Sequence, residues 1–114
     1  MKLMTKAIEK RLPKLYSTEN VEAEKKVAVF KFFAPWCNWR WYVVEGDKLD
    51  DGDFMFFGYV QGQEFVFNHK PNEWGYFLLS ELEAIRSPFG LKIERDIYMM
   101  DFKMSEVLGK LVKN

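Results

Sequence analysis

The chain has almost no cysteine and almost no histidine: Cys37 and His69 stand alone among 114 residues. A single thiol excludes an intramolecular disulfide. It also excludes a dithiol oxidoreductase, which needs a second thiol to resolve the mixed disulfide. One Cys and one His leave zinc without the ligand cluster it requires. Charge of one sign is missing too: Lys and Arg number 17, Asp and Glu 17, and the net charge is zero. The basic excess usual in nucleic-acid binders is therefore absent, although a local basic patch is still allowed. No apolar run approaches the roughly 20 residues of a membrane span. Lys2, Lys6, Glu9, Lys10 and Arg11 interrupt the N-terminal stretch where a signal peptide would be apolar. These absences lead to the expectation of a soluble cytoplasmic protein, 1–114 forming a single domain, with no cofactor and no metal.

What is present is apolar and aromatic. Hydrophobic residues make up 48% and aromatic residues 18%, enough for a real core and biased toward sheet. Thr5 can cap a short helix bearing Ile8, Leu12 and Leu15, and Pro13 limits or bends it. Residues 27–33 are apolar on both faces except for Lys31, as in a strand covered on both sides. After a turn at 34–38, Trp39, Trp41 and Val43 alternate with Arg40, Tyr42 and Val44 on a returning strand. A Gly- and Asp-rich loop is expected over 45–53, then strands over 54–62 and 64–68 joined at Gln61-Gly62-Gln63, and an extended segment over 74–79. Ser80 followed by Glu83 reads as a capping box for a helix over 81–86. Ser87-Pro88-Phe89-Gly90 fits a type I turn, residues 91–98 alternate as a last strand, and Ser105 can cap a C-terminal helix. The expected class is α+β: a curved antiparallel sheet of about five strands with short N-terminal, middle and C-terminal helices.

The stretch Ala34-Pro35-Trp36-Cys37 is similar to the redox turn A-P-W-C-x-x-C of thioredoxins, but the resemblance stops there. The resolving position holds Arg40, and the residues after Cys37 have strand composition. A nucleophilic cysteine of that type sits at a helix N-terminus, where its pKa falls. Cys37 is therefore expected to be a small residue in a hairpin. The acidic loop Glu45, Asp47, Asp50, Asp51 and Asp53 lacks the spacing of a calcium loop. No phosphate-binding, dinucleotide-binding or nucleophile-elbow motif occurs, so no catalytic residue is assigned.

The aromatics remain as binding candidates. Trp74 and Tyr76 alternate on one face around Gly75, with Arg86 on the following helix. Together with Trp39 and Trp41 they are the residues expected to bind, the alternative being that the Trp74 and Tyr76 rings pack into the core under that helix. Aromatics on a sheet can anchor a protein or stack bases. The leading expectation is a non-enzymatic module binding a macromolecule, most of all a protein. A nucleic-acid-binding module using sheet aromatics with Lys and Arg comes second. An enzyme built on Glu73, Arg86, Glu94 and Asp96 comes third.

Four stretches carry a family resemblance: "RLPKLYSTE", "WYVVEGD", "FFGYVQG" and "EWGYFLLSELEAIRSPFGLKIERDIY". Through them the chain resembles an uncharacterised bacterial family, a domain of unknown function often encoded on plasmids, phages and conjugative elements. The family pattern more often has Ser where this chain has Leu78 or Leu79. The resemblance implies no activity or catalytic residue. It points to an accessory protein of mobile DNA.

Overall fold

The computed structural model describes residues 2–62 and 70–112, with side chains up to Gly109 in the last helix. The strand expected over 64–68, with His69, lies outside the described residues. Among these residues the architecture is α+β. A five-stranded antiparallel sheet, not closed, runs β5-β4-β3-β2-β6. Its strands are β2 (Phe30–Phe33), β3 (Arg40–Lys48), β4 (Phe54–Gln61), β5 (Glu73–Leu78) and β6 (Glu94–Arg95). A second pairing joins β1 (Val27–Ala28) to β7 (Phe102–Lys103). The helices are α1 (Lys6–Arg11), α2 (Leu79–Ala84) and α3 (Met104–Val112), with a 3-10 turn over Ala23–Lys25.

The central strand is covered on both sides. On one face Phe30, Phe32, Trp41, Val43, Phe56 and Phe77 pack with Leu82 of α2 and Ile8 of α1. On the other, Tyr42, Val44 and Tyr59 pack with Met104 and Val107 of α3. The first face holds four Phe side chains that are no more than 1% exposed; truncating one such ring to alanine costs about 3–5 kcal/mol.

A β-bulge decides which side the acidic residues take. Val43 pairs with Gly58 and Glu45 with Phe57, so Val44 is the extra residue. Strict alternation from Trp41 and Val43 would send Glu45 into the phenylalanine face, where an unpaired charge is prohibitive. The bulge turns Glu45 and Asp47 to the opposite face. Backbones approach closely beside it: a Cβ on Gly58 would lie 1.7 Å from the Tyr42 carbonyl oxygen, so only glycine fits. With this correction of register the pairing continues to Lys48, and the loop shrinks from the expected 45–53 to a tight turn after β3.

Other boundaries differ for local reasons. Helix α2 begins at Leu79 and not at 81. Glu81 accepts the Leu78 N–H at 2.8 Å, and Ser80, the expected cap, instead donates its N–H and hydroxyl to Asp53 at 3.0 and 2.6 Å. The strand expected over 91–98 is only Glu94–Arg95, because the Asp96 carboxylate accepts the N–H groups of Tyr98 and Met99 (2.8 and 3.1 Å) and bends the chain away. The 27–33 strand divides at Val29. Its N–H donates to the Val43 carbonyl and its own carbonyl accepts from Asp101, which joins the two pairings. Thr5 does cap α1, accepting from the Ile8 N–H at 3.3 Å.

The turn at residues 87–90 also forms, with the Gly90 N–H 3.0 Å from the Ser87 carbonyl and Gly90 at φ +82°. That conformation is strained for any side chain. Gly90→Val should lower stability by about 1–3 kcal/mol. Gly109 is helical with open space around it, and Gly109→Ala should be neutral or stabilise by up to about 1 kcal/mol. Paired thermal melts check both; equal melting temperatures would contradict the turn geometry.

Asp53 supplies a pH test. Desolvation pushes its carboxyl up, but the Ser80 hydroxyl and the N–H groups of Phe54 and Ser80 outweigh this and hold it below its ordinary value. Its contribution is therefore present above the unfolded pKa of about 3.9 and is lost as pH falls through the lower folded value. The melting-temperature gap between wild type and Asp53→Asn should be constant near neutrality and shrink below about pH 4.

Candidate functional site

On the α3 side of the sheet, cross-strand register aligns two rows of side chains. One runs Glu94, Phe33, Arg40, Gln61; the next runs Lys31, Tyr42, Tyr59, Trp74. The ends of these rows nearest β6 form the floor of a groove. Residues 94–98 make one wall, and β7 with α3 make the other. The groove comprises two cavities of about 520 and 370 Å³ that share Lys31 and Arg40. Pro35 and Cys37 of the β2–β3 hairpin and Ile97 and Tyr98 edge the larger one.

Half of the eight charged residues that line this groove have partners within the chain. Lys31 Nζ lies 3.7 Å from Asp96 and over the rings of Phe102 and Tyr42, at 5.0 and 5.7 Å. Asp101 receives a bidentate bond from Arg11 (2.7 and 2.8 Å), and Arg95 donates to the carbonyls of Lys2 and Leu3. Burial raises the Tyr42 phenol, the Arg40 guanidinium opposes that, and Asp96 adds to it. Arg40 donates to Gln61 Oε1 at 3.0 Å and has no carboxylate partner among the described residues. Glu94, half-buried beside it, has no cation among them either.

The residues expected to bind do not converge. Trp39, just before β3, and Trp41 within it point inward and are 1% and 0% exposed, their ring centroids 5.9 Å apart, so neither presents a ring face at the surface. Trp74 and Tyr76 do share a face, the one opposite α2. Trp74 is half-buried, stacked on Phe57 at 5.7 Å and edge-on to Tyr59 at 5.3 Å. Tyr76 is exposed beside Tyr16, 6.2 Å away. Its phenol is raised by partial desolvation, then by Tyr16, Glu45 and Glu19, so this end of the aromatic row sits in negative potential. Arg86 lies past the end of α2, on the side of Leu3, Leu82 and Ile93, with its guanidinium folded onto the carbonyls of Glu83 and Ile85. It therefore does not join Trp74 and Tyr76. Of the four candidate catalytic residues, only Glu94 and Asp96 share a groove; Glu73 is on the edge strand β5 and Arg86 on the far side. No group of three or more His, Cys, Asp or Glu able to hold a metal occurs among the described residues.

Sequence reasoning passed over Arg40 and Lys31. The available signal was Lys31 as the one charge in an otherwise apolar strand, opposite Tyr42 on the next. Arg40 came to notice only as the residue occupying a missing cysteine's place.

The comparisons place this groove in a family without an assigned activity. The profile of a family described as a protein of unknown function (DUF2958) matches residues 3–112. The chain belongs to this family. No curated protein and no solved structure matches it. The match includes every residue of the groove, so the groove is built wholly within the family's domain.

Cys37 lines the groove within a turn closed by its own N–H on the Ala34 carbonyl (3.2 Å), and the chain continues into β3. No helix follows it. Cys37→Ser should shift the melting temperature by no more than about 2 °C.

Proposed function

We propose that this chain is a non-enzymatic binding module, a cytoplasmic accessory protein of bacterial or mobile-element origin, and that its partner is a protein docking on the outer lip of the groove. One observation carries this reading. Ile97, Tyr98 and Met99, three consecutive large apolar residues, are all more than half exposed, Tyr98 at 90%. They are also held in place: Asp96 fixes their backbone and is itself paired with Lys31. An ordered apolar projection loses little conformational entropy on docking, which favours its use as an anchor. Phe89 and Leu91 add exposed apolar surface in the same part of the chain. A nucleic-acid partner is favoured less. The groove cations alternate with carboxylates, and Glu45 and Glu19 lie near the exposed Tyr76. No helix among the described residues is long and apolar enough to cross a membrane.

The test is affinity capture from extracts of the native host, with and without nuclease, using wild type and Tyr98→Asp. The expected result is a protein that is retained after nuclease and lost with Tyr98→Asp, while the variant melts like wild type. Capture abolished by nuclease, or unchanged by the substitution, would overturn the reading.

A further inference from the structure

We infer that the groove is a binding site for a short zwitterion of dipeptide size, its carboxylate on Arg40 and its ammonium on Glu94. The inference starts from what remains after the charges of the groove are matched. Lys31 with Asp96, Arg11 with Asp101, and Arg95 with two backbone carbonyls are each satisfied within the chain. Arg40, Glu94, Lys103 and Glu106 are left without an ionic partner among the described residues; Lys103 and Glu106 are exposed to water, whereas Arg40 and Glu94, opposite in sign, are both half-buried. Charges held partly out of water and unpaired are unfavourable, and a ligand that pairs both removes that penalty.

Their placement is set by the sheet. Glu94 and Arg40 pair with the same residue, Phe33, from its two sides. Their Cα atoms are therefore two strand spacings apart, roughly 10 Å, with both side chains on the groove face. An extended dipeptide separates its terminal charges by about 7 Å, and the two side chains can close the remainder. Gln61 Oε1 and the Tyr42 hydroxyl each take a hydrogen bond from the guanidinium and fix its plane, so the N–H donors that remain are oriented in advance for a carboxylate. The larger cavity, about 520 Å³, is of the size that encloses small ligands, and Phe33, Pro35 and Ile97 offer an apolar wall for ligand side chains. A polyanion such as a nucleotide is disfavoured, because Glu94, Asp96, Asp101 and Glu106 all line the two cavities. Ile97 belongs both to this wall and to the docking lip, but the charge pairing on Arg40 and Glu94 does not rest on a protein docking there.

Calorimetric titration of the full chain with a dipeptide panel of apolar, acidic and basic side chains, alanyl-leucine first, tests the inference. Alanyl-leucine should bind and raise the melting temperature. N-acetylation or C-terminal amidation should each weaken it by about tenfold or more. Arg40→Gln should weaken the free and the N-acetylated dipeptide alike. Glu94→Gln should weaken only the free dipeptide, since the acetylated form has no ammonium to lose. Melts establish that each variant is folded, and Arg40→Lys, which keeps the charge but not the fork, replaces Arg40→Gln if that variant is not. Binding by no member of the panel, equal affinity for free and acetylated forms, or binding indifferent to Arg40 and Glu94 would overturn the inference.

Discussion

The carboxylate of Glu45 ties the two halves of the molecule together. Turned by the bulge onto the α3 face and only 2% exposed, it accepts the N–H of Tyr16 at 2.7 Å, the N–H of Thr18 at 3.0 Å and the Thr18 hydroxyl. Asp47 adds the N–H of Leu15, and Lys26 closes the loop by donating to the Thr18 carbonyl and hydroxyl. A polar connection with little apolar surface of its own is thereby fixed to the sheet through its backbone donors. Removing the carboxylate would leave those donors buried without partners, at about 1–3 kcal/mol. The same bonds hold Tyr16 at φ +70°, where a bulky residue is strained by roughly 1–2 kcal/mol, with its ring standing beside Tyr76. The end of that loop leads into β1, and so into the wall against which α3 packs.

The groove follows from the same division of labour. One face of the sheet is filled by phenylalanine and tryptophan and has no room for charge. The other is only partly covered, and it collects the charged residues of β2, β3 and β6 with α3 along one side. Half of these charges are paired within the chain, and among the rest the guanidinium of Arg40 and the carboxylate of Glu94 stand out because they are half-buried. The apolar lip is separate in origin, because it exists only through the way Asp96 ends β6.

The class of the fold was legible in the sequence because its period-two patterns are strong: Trp39, Trp41 and Val43 against Arg40, Tyr42 and Val44 divide between the faces as alternation requires. Alternation fails at Glu45 because a bulge is a property of two strands, and neither strand alone records it. Ser80 was misplaced as a cap because its competitor, Asp53, comes from 27 residues away. The candidate site was less legible still. Tryptophan attracts attention as a binding residue, yet the largest apolar rings are the ones burial selects first, and Trp39 and Trp41 went to the core. Arg40 and Glu94 look ordinary in the sequence, and only the register on Phe33 brings them together.

The N-terminal segment is fastened by what comes last. Arg95 holds the carbonyls of Lys2 and Leu3, and Asp101 holds Arg11, so residues 2–11 gain their partners from residues 95–101. Docking of residues 2–11 is therefore complete only once residues 95–101 are in place, whereas the β2–β3–β4 meander pairs between neighbours in sequence and can assemble without them. Without Glu94 and Arg95 the edge of β2 would stand open to solvent, a row of unpaired backbone groups that another strand could join.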